Sequence, residues 1–125
     1  MIFDTDILIW VQRRNRNAAQ LIDSQQHRYL SVQTYLELFQ CAHDKKQHHI
    51  IRQFLADLAF TILPFSENIG HRAMIYVEEY SLSSGMRAGD ALIAATAVEN
   101  HLPLATGNAK HFKVVKELSL CPFKP

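Results

Sequence analysis

Cysteine is scarce: Cys41 and Cys121 are the only two in 125 residues. That rules out a disulfide framework and suits a reducing compartment. Glycine is scarce too, and its four residues stand apart, so no glycine-rich phosphate loop of the Walker or dinucleotide type can be assembled. Neither sign of charge dominates. Thirteen basic residues against 12 acidic leave a net of +1, so a nucleic acid would have to be held by local patches. Long apolar runs are missing: the longest, Ala91 to Val98, is broken by Thr96 and falls far short of a membrane span. The start of the chain has no basic stretch ahead of a long apolar core, because Asp4 and Asp6 interrupt it, so no secretory signal is expected. No serine or cysteine nucleophile has an evident histidine partner. The expectation is one cytoplasmic domain over residues 1–125, long enough to bury a single core.

What is present alternates along the chain. Met1-Ile2-Phe3 reads as a short buried strand, and Ile7 to Val11 as the start of a helix. Asn17 is the expected N-cap of a second helix carrying Ala18, Leu21 and Ile22. Residues 27–32, HRYLSV, read as a strand. Val32, Tyr35, Leu36, Phe39 and Ala42 then recur at helical spacing, as do Ile50, Ile51, Phe54, Leu55 and Leu58. FTILPF at 60–65 is a strand that Pro64 helps to end, and Ser66 caps the next helix. DALIAATAVEN at 90–100 is apolar nearly all round, which predicts a central buried helix. LPLAT at 102–106 and LSLCPF at 118–123 read as strands, the last one at an edge. Strands alternating with helices predict an α/β sandwich with a mainly parallel sheet.

In such a sheet, ligands bind at the carboxyl ends of the strands. Asp4, Glu37, Asp90 and Asn108 fall at or next to those ends while lying far apart in sequence. Each has an ordinary reading. Asp4 or Asp90 can simply cap a helix, and Glu37 can be an exposed position among Tyr35, Leu36, Leu38 and Phe39. Their joint placement points to chemistry. Two carboxylates about 4 Å apart repel by roughly 4 kcal/mol at an effective dielectric near 20, which a divalent cation removes. All-oxygen ligands suit Mg²⁺ or Mn²⁺, and such a site suits phosphodiester hydrolysis.

MIFDTDILI, SVQTYLEL, DALIAATAVENHLPLATGNAKHF and LSLCPFKP together resemble a PIN-domain ribonuclease of the VapC toxin type, over essentially the whole chain. The resemblance implies a three-layer α/β/α sandwich and a Mg²⁺- or Mn²⁺-dependent endoribonuclease leaving 5′-phosphate and 3′-hydroxyl ends. It also implies a cognate VapB-like antitoxin, with the toxin a homodimer or part of a hetero-oligomer. Asp4, Glu37 and Asp90 match the family's acidic metal-binding residues. Asn108 matches its fourth position, where many members carry Asp, and an amide there adds no charge. Thr5 and Thr106 match small hydroxyl positions that orient the acids. Asp6 stands where the family often has Asn and is read as a supporting residue. Gly107 replaces a basic residue common in relatives, and His111 an acid.

Two other readings compete. An Asp-x-Asp near the start resembles haloacid-dehalogenase-type phosphatases, but Leu8 and the lack of a matching lysine depart from their pattern. A non-catalytic PIN-like RNA-binding or interaction module is the other. Cys41, His43, His48 and His49 match no four-ligand zinc spacing. Lys110 and Lys113 follow Asn108 and are candidates for RNA phosphate contact. Leu8, Trp10, Val11, Leu21 and Leu36 are candidates for the apolar groove the family offers its antitoxin.

Overall fold

Ile2 and Phe3 are neighbours in the first strand, yet they belong to different cores. Successive side chains of a strand point to opposite faces of the sheet. The same split recurs beside them, where Leu104 pairs with Ile2 and Ala105 with Phe3. Two cores on opposite faces of one sheet make a three-layer α/β/α sandwich. The computed structural model describes all 125 residues.

The element order is β1 (Ile2–Phe3), α1 (Thr5–Gln12), α2 (Arg16–Asp23), β2 (Arg28–Ser31), α3 (Val32–Gln40), α4 (Lys45–Asp57), β3 (Phe60–Leu63), α5 (Glu67–Ser84), α6 (Ala88–Glu99), β4 (Leu104–Thr106), α7 (Ala109–Phe112) and β5 (Leu120–Pro122). The five strands are all parallel, in the order β3-β2-β1-β4-β5. Chain progress reverses direction across the sheet between β1 and β4. That crevice at the strands' carboxyl ends is where an open α/β sheet accepts a ligand. Pro122, which has no N–H to give, sits in the edge strand β5 where that loss is tolerated.

One core holds Ile69, Ala73 and Tyr76 of α5, the buried face of α6, and Phe112 of α7. Ala91 and Ile93 to Ala97 of α6 are all buried, matching its all-round apolar sequence. The other core holds Ile7 and Leu8 of α1, Ala18 and Ile22 of α2, Leu38 of α3, and Ile51 and Leu55 of α4.

Local signals set most helix starts. Ser31 ends β2 and at once caps α3 through Thr34 N, so no loop separates the two elements. Ser66 caps α5 as its sequence predicts, and Gly85, at φ 73°, ends that helix in the left-handed conformation glycine tolerates. Two expectations are corrected. The cap of α2 is Asn15, whose Oδ1 accepts from Ala18 N, because α2 begins at Arg16 and encloses Asn17. Asp90 does not cap α6 either: the helix starts at Ala88, and Asp90 lies at its third position with Oδ2 accepting from Arg87 N. Leu8, a groove candidate, is fully buried core.

Candidate functional site

Asp4 follows β1 and caps α1, with Oδ1 accepting from Thr5 N at 2.8 Å. Its Oδ2 accepts from the Thr106 hydroxyl at 2.7 Å, from the end of the neighbouring β4. Both oxygens are therefore held, and the residue is 7% exposed. Burial raises the Asp4 carboxyl from its usual range to about 7, with the charge of Asp6 adding to the rise and Asp90 contributing less. Ion pairs with lysine or arginine are absent from Asp4, Asp6, Glu37 and Asp90 alike. Three carboxylates thus act on one another at the crevice without a lysine or arginine to offset them, and the His111 ring Nδ1 lies 3.3 Å from Asp90 Oδ2.

Asp6 is the second residue of α1, in its first turn, and faces the loop after β4. Gly107 N donates to its Oδ2 at 2.9 Å, while Oδ1 is enclosed and has no hydrogen-bond partner. Burial pushes this carboxyl up as well, and the Gly107 N–H opposes the rise. A side chain at position 107 would collide with it, since a Cβ there would stand 2.6 Å from Asp6 Oδ2.

Glu37 arrives from α3. Gln33, one turn earlier, donates to its Oε1 at 3.0 Å. Both side chains lie against Gly89 in the first turn of α6, where an added Cβ would be 3.2 Å from Glu37 Oε1. The missing side chain at Gly89 lets the carboxylate of α3 come close to the turn that carries Asp90.

Asn108 donates its backbone N–H to the Thr106 hydroxyl at 2.9 Å. Its side-chain amide meets His111 Nδ1 at 2.9 Å, and His111 in turn reaches Asp90. Thr106 is thus the hub between Asp4 and the loop that holds Asn108. The Thr5 hydroxyl does not turn to an acid: it donates to Thr34 at 3.0 Å, and only its backbone N–H serves Asp4. Lys110 and Lys113 are exposed and, with Ser83, Ser84 and His111, line a pocket of about 550 Å³ that none of the carboxylates enters and that His111 alone links to Asp90.

Sequence reasoning did not single out Gln33 or Gly89, and it placed Asp6 behind its neighbours. A glutamine one helical turn before a candidate acid was a readable signal; the close approach to Gly89 needed the packing of α3 on α6. Divalent metal suits this donor set on one observation above all, the enclosed and unpartnered Asp6 Oδ1 among carboxylates that no cation neutralises. The side chains do not already close into a three-ligand cage.

On the far side of Glu37 an apolar groove of about 380 Å³ runs between α1, α3 and α4. Val11, Leu38, Ile50 and Phe54 line it, and Glu37 forms part of its wall. Of the candidates named from the sequence only Val11 lines it; Leu36, 52% exposed, and the half-buried Trp10 and Leu21 lie outside the lining, while Ile50 in the lining is 54% exposed. The Arg13 guanidinium lies 5.8 Å from the Trp10 ring centre.

A family profile described as a PIN domain matches residues 1–118. No curated protein matches the chain. Among solved structures, one chain of a toxin-antitoxin complex from Klebsiella pneumoniae is 30% identical, with 99% of this chain and 98% of that one covered and a TM-score of 0.79. FitAcB from Neisseria gonorrhoeae is similar at 25% identity, 95% and 94% coverage and a TM-score of 0.73. VapBC2 from Rickettsia felis, bound to a DNA fragment from its promoter, shares the fold at 21% identity, 99% and 100% coverage and a TM-score of 0.77.

Proposed function

This chain belongs to the PIN domain family, and from that premise we propose that it is a metal-dependent endoribonuclease acting as the toxin of a toxin–antitoxin pair. The observation that carries the reading is the buried Asp4 at the crevice between β1 and β4, with Asp6 and Asp90 beside it and no lysine or arginine to neutralise them. Asp4, Glu37 and Asp90 would hold Mg²⁺ or Mn²⁺, with Asn108 at the margin of the site. Bound there, the cation supplies an acidified water and offsets charge developing on the phosphodiester.

The chain's own residues do the positioning. Thr106 and Thr5 N fix both oxygens of Asp4, so its carboxylate is aimed before substrate arrives. Gln33 steadies Glu37, and Arg87 N and His111 bracket Asp90. Lys110 and Lys113 draw RNA phosphates to the edge of the site, which suits a chain of small net charge. Residues 1–125 act as a single PIN domain, in the cytoplasm and as a homodimer or in a complex with the antitoxin.

The antitoxin reading is supported by the groove between α1, α3 and α4. Its apolar lining fits the apolar face of an amphipathic partner segment. Because Glu37 belongs to both groove and crevice, a partner seated there also crowds the carboxylates.

The test is direct. Purified protein is incubated with structured RNA in Mg²⁺ or in EDTA, alongside Asp4→Ala, and the new ends are sequenced. Cleavage that needs metal, disappears in Asp4→Ala and leaves 5′-phosphates is expected. Cutting that survives in EDTA and in Asp4→Ala would overturn the proposal. Co-expression with the neighbouring open reading frame should relieve any growth arrest.

A further inference from the structure

The geometry points to Asp6 as a metal ligand of this site, beside Asp4 and Asp90. The inference rests on the nuclease reading above and extends its ligand set.

Asp6 is seated by construction. Its Oδ2 is anchored by Gly107 N at 2.9 Å, from a loop 101 residues away. Any residue larger than glycine at 107 would put a Cβ 2.6 Å from that oxygen. The lack of a side chain at 107 is what lets the carboxylate sit against this loop. An exposed acid serving solubility would need no such space.

The anchoring leaves Oδ1 enclosed with no donor. Buried acceptors are nearly always satisfied, and a charged one left bare is costly. The backbone N–H groups of Asp6 and Ile7 favour the charged carboxyl, yet neither makes a hydrogen bond to this oxygen. Its neighbours are Asp4 and Asp90, which repel it. A divalent cation among these three carboxylates satisfies the orphan oxygen and removes the repulsion together.

Asn108 has other work. Its backbone N–H goes to Thr106, and its amide meets His111. It is neutral, so it brings no charge to offset a cation, and its amide nitrogen is taken by His111. Four carboxylates therefore serve the cation, Asp4, Asp6, Glu37 and Asp90, with Asn108 holding the loop.

Mn²⁺ titration by calorimetry tests this without reference to cleavage. Asp6→Asn keeps the shape and the Gly107 bond and removes the charge. It should weaken Mn²⁺ binding by about tenfold or more, while Asn108→Ala stays within about threefold of wild type. Gly107→Ala, which displaces Asp6, should behave like Asp6→Asn. The double variant Asp6→Asn/Asn108→Asp, which moves the carboxylate across the crevice, should recover most of the affinity. Circular dichroism and metal-free melting temperature confirm that each variant folds, and Asp6→Asn should melt no lower than wild type because it relieves repulsion. Wild-type affinity in Asp6→Asn overturns the inference while leaving the nuclease reading intact if Asp4→Asn still abolishes binding. A wild-type protein that takes up no Mn²⁺ overturns both.

Discussion

The Thr106 hydroxyl donates to Asp4 Oδ2 at 2.7 Å, joining residues 102 positions apart at the ends of adjacent strands. The Thr106 hydroxyl oxygen also accepts from Asn108 N, so one side chain fixes both the acid and the loop after β4. Thr106→Val keeps the shape and removes donor and acceptor. Unfolding in urea should show a loss of about 1–3 kcal/mol, with Mg²⁺ affinity about tenfold weaker. Thr106→Ser, which keeps the hydroxyl, should stay near wild type on both measures. Equal values in all three proteins would mean that the bond does not orient Asp4.

Asp4 also sets a pH dependence. Its carboxyl is raised from 3.8 to about 7, burial first and the Asp6 charge second. Between those values the metal-free native state still holds a proton that the unfolded chain has released. Stability therefore falls as pH rises through that window, by on the order of 4 kcal/mol from this group if it acts alone. Denaturation in EDTA should give a lower midpoint near pH 8 than near pH 5. Asp4→Asn should flatten the slope, and Mg²⁺ at the higher pH should recover the lost stability. A midpoint that climbs with pH in EDTA would contradict this.

The layered fold was legible because its signals are local and repeated: DALIAATAVEN is apolar on every side, and the chain alternates strand and helix signals throughout. Asp4 and Asp90 were readable as candidates because a carboxylate against an apolar run is costly without a purpose. The rest depended on tertiary packing. Asn15 and Asn17 are equally good capping residues, and the start of α2, which decides between them, is set by packing Ala18 and Ile22. Leu8 and Val11 share an apolar run, yet only the fold shows that one is core and the other lines the groove. Asp6 could not be ranked without Gly107, since the close approach joins two segments a hundred residues apart.

Ile50 tests the groove. It is 54% exposed, so Ile50→Glu should cost less than about 0.5 kcal/mol in the isolated protein. A charge among Val11, Leu38 and Phe54 opposes an apolar partner segment. The variant should cut RNA at the wild-type rate and no longer be neutralised when the neighbouring protein is co-expressed. Full neutralisation would place the partner elsewhere.

Lys110 and Lys113 test the electrostatic edge. In Lys110→Glu/Lys113→Glu, RNA binding measured in Ca²⁺ should weaken. The slope of log affinity against log salt should drop by about 1–2, the number of phosphate contacts removed. Metal affinity should hold, since neither lysine bonds to Asp4, Glu37 or Asp90. An unchanged salt slope would remove these residues from the RNA path.

At the opposite end of the sheet, Tyr76 donates its hydroxyl to Glu117, and Arg72 pairs with Glu99 at 3.0 Å and with Glu117 at 3.4 Å. This network ties α5 to the end of α6 and to the segment leading into β5. Burial and the Glu117 hydrogen bond raise the Tyr76 phenol, and the same bond is the main cause holding Glu117 below its usual range. Tyr76→Phe leaves the ring in the core, and Glu117 Oε1 keeps its Arg72 partner and can be reached by water because Glu117 is exposed. The expected loss is about 1 kcal/mol in stability. Metal affinity and RNA cleavage should match wild type at a temperature where both proteins are folded, because this network shares no residue with the crevice. A cleavage defect at full folding would show that the packing of α6, which carries Asp90 at one end and Glu99 at the other, transmits strain along its length.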